Sequence, residues 1–233
     1  MREKHTIMEH KDKSIEFWNQ HFKEIKPVTI NREEVTIEDT LDYYLKIIGD
    51  SCDTVLDVGC GLGTCLMSSY CLGEKMNKGV GFDSSEHAIY FAQETSKLSG
   101  FDVLTYVAQD ESFLGTLDSE SFDGVICSNF LDVIPEALSM SIIREMSRVL
   151  KPNGLLLIKL NFYLDETLIK RLNMEKIEEN TFAMNGVLRA FNLSTEEWTE
   201  RFNDFELIEQ NEFQRAPNLP KDRLLLFKKQ MKK

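Results

Sequence analysis

The sequence predicts an α/β fold: a doubly wound, mostly parallel seven-stranded sheet, helices on both faces, and an antiparallel hairpin at its C-terminal edge. Three observations carry this. From residue 54 onward, short apolar runs alternate with segments of helical period, as in βα units whose parallel sheet is covered on both faces. The run "LLLI" at 155–158 is continuously apolar, which suits a strand buried on both sides. Gly59, Gly61 and Gly63 follow the first strand, the place where such sheets receive ligands.

The elements follow in order. "SIEFWNQHFKEI" carries Ile15, Trp18, Phe22 and Ile25 on one helical stripe. A loop through Pro27 leads to a second helix from Thr36, with Asp39 as its capping-box-like partner and Ile37, Leu41, Tyr44, Leu45 and Ile48 on one face. "TVLDV" reads as a strand, "LGTCLMSSYCLGEK" as a helix and "KGVGFD" as a strand. "SSEHAIYFAQETSKL" is a helix capped by Ser84 or Ser85 and stopped at Gly100. "DVLTYVAQ" and "FDGVICSNF" are strands. "PEALSMSIIREMSRVL" is a helix with Pro135 near its start and Leu138, Ile142, Ile143, Met146, Val149 and Leu150 on one face. The turn "KPNG" leads into the strand "LLLIKLNF". Residues 163–193 predict one helix (Leu164, Leu168, Ile169, Leu172) and a polar stretch ending "NGVLRAFNL". "STEEWTERF" restarts a helix with Ser194 and Glu197 as a capping box. "FELIEQ" and "RLLLFKK" close the chain as a hairpin joined through "FQRAPNLPKD".

The division expected is one domain over 1–233: a helical lid to residue 35, a ligand-binding core over 36–160, a substrate-side insertion over 161–193, and a closing helix with two strands over 194–233. No internal repeat or low-complexity segment interrupts it.

The totals limit the function. Of 233 residues 42% are apolar and 28% charged, and the net charge is −12. That composition builds a core without staples. It also repels phosphate backbones, so a dedicated nucleic-acid binder is disfavoured. The one basic cluster, Lys228, Lys229, Lys232 and Lys233, reads as a solvated terminus. Cys52, Cys60, Cys65, Cys71 and Cys127 form neither a C-x-x-C pair nor a Cys/His ligand pattern, so they read as buried, reduced thiols. The polar start "MREKHTIMEHKDK" lacks a signal-peptide core, and no run approaches the length of a membrane span. A cytoplasmic protein is expected.

The glycine loop decides between cofactors. A nicotinamide fingerprint spaces its glycines G-x-G-x-x-G around a pyrophosphate. Here the third glycine comes one residue early, and Asp57 precedes the first by two. A carboxylate there repels a pyrophosphate and welcomes an ammonium through charge-assisted hydrogen bonds. At this point the sequence resembles the class I S-adenosylmethionine-dependent methyltransferases. "VLDVGCGLG" is similar to their first motif. "GVGFDSS" places Asp83 at the end of the second strand, "VAQDE" places Asp110 after the third, and "FDGVICSNFLDVIPE" and "EMSRVLKPNGLLLI" follow in the family's order. Asn153 stands where that family commonly has glycine.

The resemblance implies a Rossmann-like fold and S-adenosyl-L-methionine as donor, with S-adenosyl-L-homocysteine as product and no metal. It implies that Asp57, Gly59, Cys60, Gly61 and Gly63 seat the amino-acid end of the cofactor, Asp83 the ribose hydroxyls, and Asp110 and Glu111 the adenine end. Ser84 is equally a plain N-cap or a cofactor contact. Asn129 is equally a loop residue or a backbone contact near the methionine end.

Catalytic candidates are few. Asp132 follows the fourth strand where many small-molecule members carry histidine; His21 would enter the site if the first helix folds over as a lid. Trp18 is either core or lid. Tyr163, Asn185, Arg189 and Phe191 lie in the insertion; Arg189 either pairs an acidic substrate or forms a surface salt bridge.

No "DPPY" or "NPPY" follows the fourth strand, no Pro-Cys pair suggests a cytosine nucleophile, and no catechol-type metal cluster is evident. A small-molecule acceptor therefore leads over RNA or protein. The alternatives are a nicotinamide-dependent oxidoreductase and a non-catalytic binding module. Oligomeric state is not written in the sequence.

Overall fold

The computed structural model describes residues 2–231. Lys232 and Lys233 lie outside the described residues. The predicted sheet is present. Its seven strands run in the order β3-β2-β1-β4-β5-β10-β9, with β1 Thr54–Val58, β2 Lys78–Asp83, β3 Leu104–Ala108, β4 Phe122–Ser128, β5 Leu150–Leu160, β9 Phe205–Phe213 and β10 Asp222–Lys229. The first five pair in parallel. β10 lies antiparallel between β5 and β9. Strand order reverses at β1, between β2 and β4, and so opens a crevice beyond the carboxyl ends of these strands.

Alternation along the strands divides the interior into two layers. Val55, Ile126, Leu157, Leu224 and Leu226 face one way, against α2 (Asp39–Ser51), α3 (Thr64–Leu72) and α4 (Glu86–Ser99). Leu56, Val125, Leu156, Ile158 and Leu225 face the other, with side chains of α5 (Glu136–Val149) and with Trp198 of α7 (Thr195–Thr199). α2 and the end of α3 cross so closely that an added Cβ at Gly49 would overlap the carbonyl oxygen of Ser69. All five cysteines are free and buried.

Five expectations need correction. The first helix, α1, spans Arg2–Phe22; Ile25 lies beyond its end, exposed. α2 begins at Asp39, because the Glu38 carboxylate accepts the Leu41 N–H and takes the cap. Thr36 instead donates its hydroxyl to Asp42, and Ile37 is exposed. The residues "KPNG" do not end one element and start another. Phe122 pairs with Leu150 and Gly124 with Leu155, so these four bulge out of a continuous β5, with Asn153 in the left-handed region at φ 64°.

The insertion is more than one helix and a polar stretch. A short α6 (Glu166–Arg171) precedes a second sheet, β6 Glu175–Glu178, β7 Thr181–Met184 and β8 Val187–Phe191, in the order β6-β7-β8. Its last turn is Asn185–Gly186, both at positive φ (54° and 77°), as a two-residue hairpin requires. Finally, Lys229 does not belong to a solvated tail: its Nζ is buried and donates to the Leu150 carbonyl at 2.6 Å.

Candidate active-site cleft

The glycine loop leaves β1 at the crevice. The Cys60 N–H donates to Phe82 O of β2 at 2.9 Å and the Gly63 N–H to Cys60 O at 2.8 Å, which folds the loop back on itself. Gly59 and Gly61 both adopt left-handed φ, 66° and 51°, for different reasons. A Cβ at Gly59 would lie 2.5 Å from Cγ of Phe130, whereas at Gly61 it would point into open cleft, its nearest neighbour Phe22 Cζ at 3.8 Å. Gly63 is the N-cap of α3 and brings no side-chain cap, so the N–H groups of Thr64 and Cys65, both on the cleft lining, stay available at its edge.

Two carboxylates face the loop from neighbouring strands. Asp83, ending β2, accepts the Gly61 N–H at 2.9 Å on Oδ2 and the Ser85 N–H at 2.8 Å on Oδ1. Burial raises its pKa, and these backbone donors pull it back. Asp57, one residue before the end of β1, is 1% exposed, and neither oxygen has a hydrogen-bond partner. Burial, then the charge of Asp83, push its pKa up to about 7, opposed only by the nearby Leu66 backbone. Unpartnered buried carboxylates are costly; this one sits on the floor of the cleft.

After β3, Asp110 caps a short 3-10 turn by accepting the Ser112 N–H at 3.0 Å, and Glu111 follows it at the rim. After β4, Asn129 takes a left-handed φ of 52°. Its N–H donates to Lys159 O and its Oδ1 accepts from Lys159 Nζ, both at 2.8 Å. The Asn129 side chain is therefore engaged, and the residue lines the cleft with its side chain already held. Lys159 itself is buried and paired with Asp222 at 2.8 Å, which also accepts Arg215 Nε at 2.6 Å.

The first helix lines the same cleft. α1 places Lys11, Ser14, Ile15, Trp18 and Phe22 along the cleft. Lys11 Nζ meets Glu111 Oε1 at 2.6 Å. Asn19 Oδ1 accepts from the Ser85 hydroxyl at 2.9 Å and the His87 N–H at 3.3 Å. Ser14 Oγ accepts the Leu188 N–H at 3.0 Å, and the His10 ring nitrogen meets Gly186 O at 2.6 Å. The helix is thus tied both to the core and to the small sheet.

The cleft brings together Asp57, Gly59, Cys60, Gly61, Asp83, Ser84, Asp110, Glu111, Asn129 and Trp18. Gly63 supports it from the helix start. Ser85, not Ser84, caps α4, which leaves the Ser84 side chain at the cleft. Four candidates lie elsewhere. His21 is on the exposed side of α1, stacked on Phe17. Asp132 is buried outside the cleft, accepting the Asn161 N–H at 2.6 Å and the Asn161 amide. Tyr163 is exposed and absent from the lining. Arg189 forms no salt bridge among the described residues; its guanidinium lies 5.3 Å from the ring centres of both Phe17 and Trp18. Lys11 and Lys159 were missed. Lys11 stands one turn before Ile15 on the same stripe, and Lys159 is the lone charge in "LLLIKL", where a buried strand demands a partner.

The sequence model of a family described as a methyltransferase domain matches residues 50–214. An uncharacterized protein of Haemophilus influenzae is 34% identical over 104 residues, 44% of this chain and 40% of that one; the match thus spans about two fifths of that relative's length. The PH0226 protein of Pyrococcus horikoshii superposes with a TM-score of 0.64 at 21% identity, over 82% of this chain and 89% of that one. The 1,6-didemethyltoxoflavin-N1-methyltransferase of Burkholderia thailandensis, solved with 1,6-didemethyltoxoflavin and S-adenosylhomocysteine, superposes at 0.60 with 18% identity, over 82% and 77%. These two superpositions establish a shared fold. With a match over most of its length that takes in the glycine loop and six of the seven strands of the main sheet, all but β10, the chain belongs to the methyltransferase-domain family.

Proposed function

We propose that the protein transfers a methyl group from S-adenosylmethionine to a small-molecule acceptor. The observation that carries this is Asp57. A buried carboxylate with no partner, facing a cleft, is what a ligand ammonium completes. It also argues against a dinucleotide, whose pyrophosphate would meet Asp57 and Asp83 together.

The residues fit such a cofactor. Asp57 would take the α-ammonium, with the Asn129 backbone beside it. The open first turn of α3 would take the α-carboxylate. Asp83, whose oxygens each keep a free lone pair, would accept from the ribose hydroxyls. Asp110 and Glu111 stand at the adenine end, and the Gly61 backbone allows close approach. Bound there, the cofactor supplies an electrophilic methyl carbon. The protein's part is to hold donor and acceptor in line and keep water out, which α1 does by covering the cleft with Trp18 and Phe22.

A small acceptor is supported by charge. Four carboxyl side chains, from Asp57, Asp83, Asp110 and Glu111, line the cleft against one ammonium, from Lys11, and this disfavours a phosphate-bearing acceptor. Calorimetric titration with S-adenosylmethionine, S-adenosylhomocysteine and NAD tests the donor. The first two should bind and NAD should not; binding of NAD alone overturns the reading. Incubation with labelled cofactor and separate small-molecule, RNA and protein pools tests the acceptor, and label appearing in RNA or protein alone overturns that half.

A further inference from the structure

The segments outside the strand–helix core meet the cleft with apolar surface. α1 brings Ile15, Trp18 and Phe22, and β8 brings Leu188. The two polar groups they also bring are already partnered. Lys11 is held by Glu111, and Ser14 donates to His10 O while accepting the Leu188 N–H. The segment after β4 continues the wall with Phe130, Val133 and Ile134. Opposite stand the carboxylates of the cofactor side. The two candidate bases are out of reach: His21 faces away, and Asp132 is bound to Asn161.

We infer that the acceptor is a small, flat, largely apolar molecule presenting a neutral nitrogen with no proton to lose, and that its methylated product is a cation. This rests on the methyltransferase reading above. In the transfer the nitrogen lone pair forms the new N–C bond. The S–C bond breaks, its electron pair stays on sulfur, and the positive charge passes from sulfur to nitrogen. One positive charge faces the carboxylates before and after, and no proton moves. An anionic oxygen or sulfur acceptor is repelled on entry, and its methylation leaves the carboxylates with no counter-charge. A hydroxyl acceptor needs a base within hydrogen-bond reach, which the wall does not offer. Trp18 and Phe130 line the cleft with aromatic rings, apolar surface that suits a flat ligand.

The test uses the full chain, labelled S-adenosylmethionine and acceptors matched in shape: quinoline, 2-naphthol, naphthalene-2-thiol and 1-naphthoate, with AMP as the phosphate-bearing comparison. Quinoline should be methylated on nitrogen with kcat/KM at least about tenfold above the others, a difference of about 1.4 kcal/mol in transition-state binding. A second arm does not depend on turnover. N-methylquinolinium should quench the fluorescence of Trp18 in the protein loaded with S-adenosylhomocysteine, and 1-naphthoate should not. Trp198 is fully buried and lies outside the cleft lining, so Trp18→Phe should abolish the change. Preference for the naphthol, thiol, carboxylate or AMP overturns the inference, as does naphthoate binding without quinolinium binding. If nothing is methylated, the quenching arm decides. Titration of S-adenosylhomocysteine on the same sample separates the two readings. Its binding alongside either negative result overturns the nitrogen acceptor alone; failure to bind overturns the methyltransferase reading as well.

Discussion

Lys11 of the first helix and Glu111 of the turn after β3 meet at 2.6 Å across the mouth of the cleft, so one ion pair fastens the lid to the rim beside the residue proposed for adenine. Both side chains are partly exposed, which limits the pair to about 1 kcal/mol. Glu111→Gln should therefore speed release of S-adenosylhomocysteine by roughly fivefold, with little change in thermal stability. Stopped-flow displacement reads the rate. An unchanged rate would mean that the other lid contacts suffice.

Asp57 should make cofactor affinity depend on pH. Its pKa in the empty cleft is about 7, and an arriving ammonium favours the ionised form. Binding below pH 7 must then release a proton, and affinity should fall as pH drops from 8 to 6. Titrations in buffers of different ionisation enthalpy count that proton; a count of zero at pH 6 refutes the assignment.

The same group predicts a stability effect. A carboxyl whose pKa is raised on folding stabilises the native state while it is protonated. That contribution is present below the unfolded value of about 4 and is lost as pH rises through the folded value of about 7. Asp57→Asn should therefore raise the melting temperature of the ligand-free protein more at pH 8 than at pH 4, while weakening binding of S-adenosylmethionine. A gain in stability paired with a loss of binding distinguishes a ligand-directed group from a structural one.

Gly59 and Gly61 should fail differently. Gly61→Val places its branches in the cleft and should weaken S-adenosylhomocysteine binding at least tenfold, at a backbone cost of about 1–2 kcal/mol. Gly59→Ala drives a methyl into the Phe130 ring and should cost more stability. Phe130→Ala should recover part of that loss in the double variant, measured as a coupling energy from urea unfolding.

Lys159→Met should destabilise the protein by about 3–5 kcal/mol, because it leaves Asp222 buried with Arg215 as its one remaining ion-pair partner among the described residues. It should also weaken cofactor binding, since the Asn129 amide loses its anchor. Affinity unchanged in a folded variant would show that Asn129 holds its left-handed backbone unaided.

Legibility in the sequence tracked the range of the contacts involved. The five parallel strands and the glycine loop are local patterns, and alternation with helices ordered them. Ser85, Gly100 and the Ser194–Glu197 box were readable because capping acts within one turn. The close crossing of Gly49 with α3 was not, since a glycine inside a helix looks the same whether or not a neighbour presses on it. The small sheet was hidden because β6, β7 and β8 are only four or five residues long, too short for alternation to stand out from a polar loop. Asp132 looked available for chemistry because its partner, Asn161, lies just past the end of β5, 29 residues away in the chain. Arg189 looked like a surface charge because Phe17 and Trp18 are distant in sequence.

The stitching of α1 to the β7–β8 turn, through His10 with Gly186 and Ser14 with Leu188, has an evolutionary consequence. Two stretches more than 170 residues apart in the chain are joined side chain to backbone, while the proposed donor seat between them comes from other parts of the sequence. A lineage acquiring a new acceptor cannot exchange one stretch and keep the other, for the hairpin would lose its footing. Such a change must arrive as a matched pair, and grafts between related chains should succeed only when both stretches travel together.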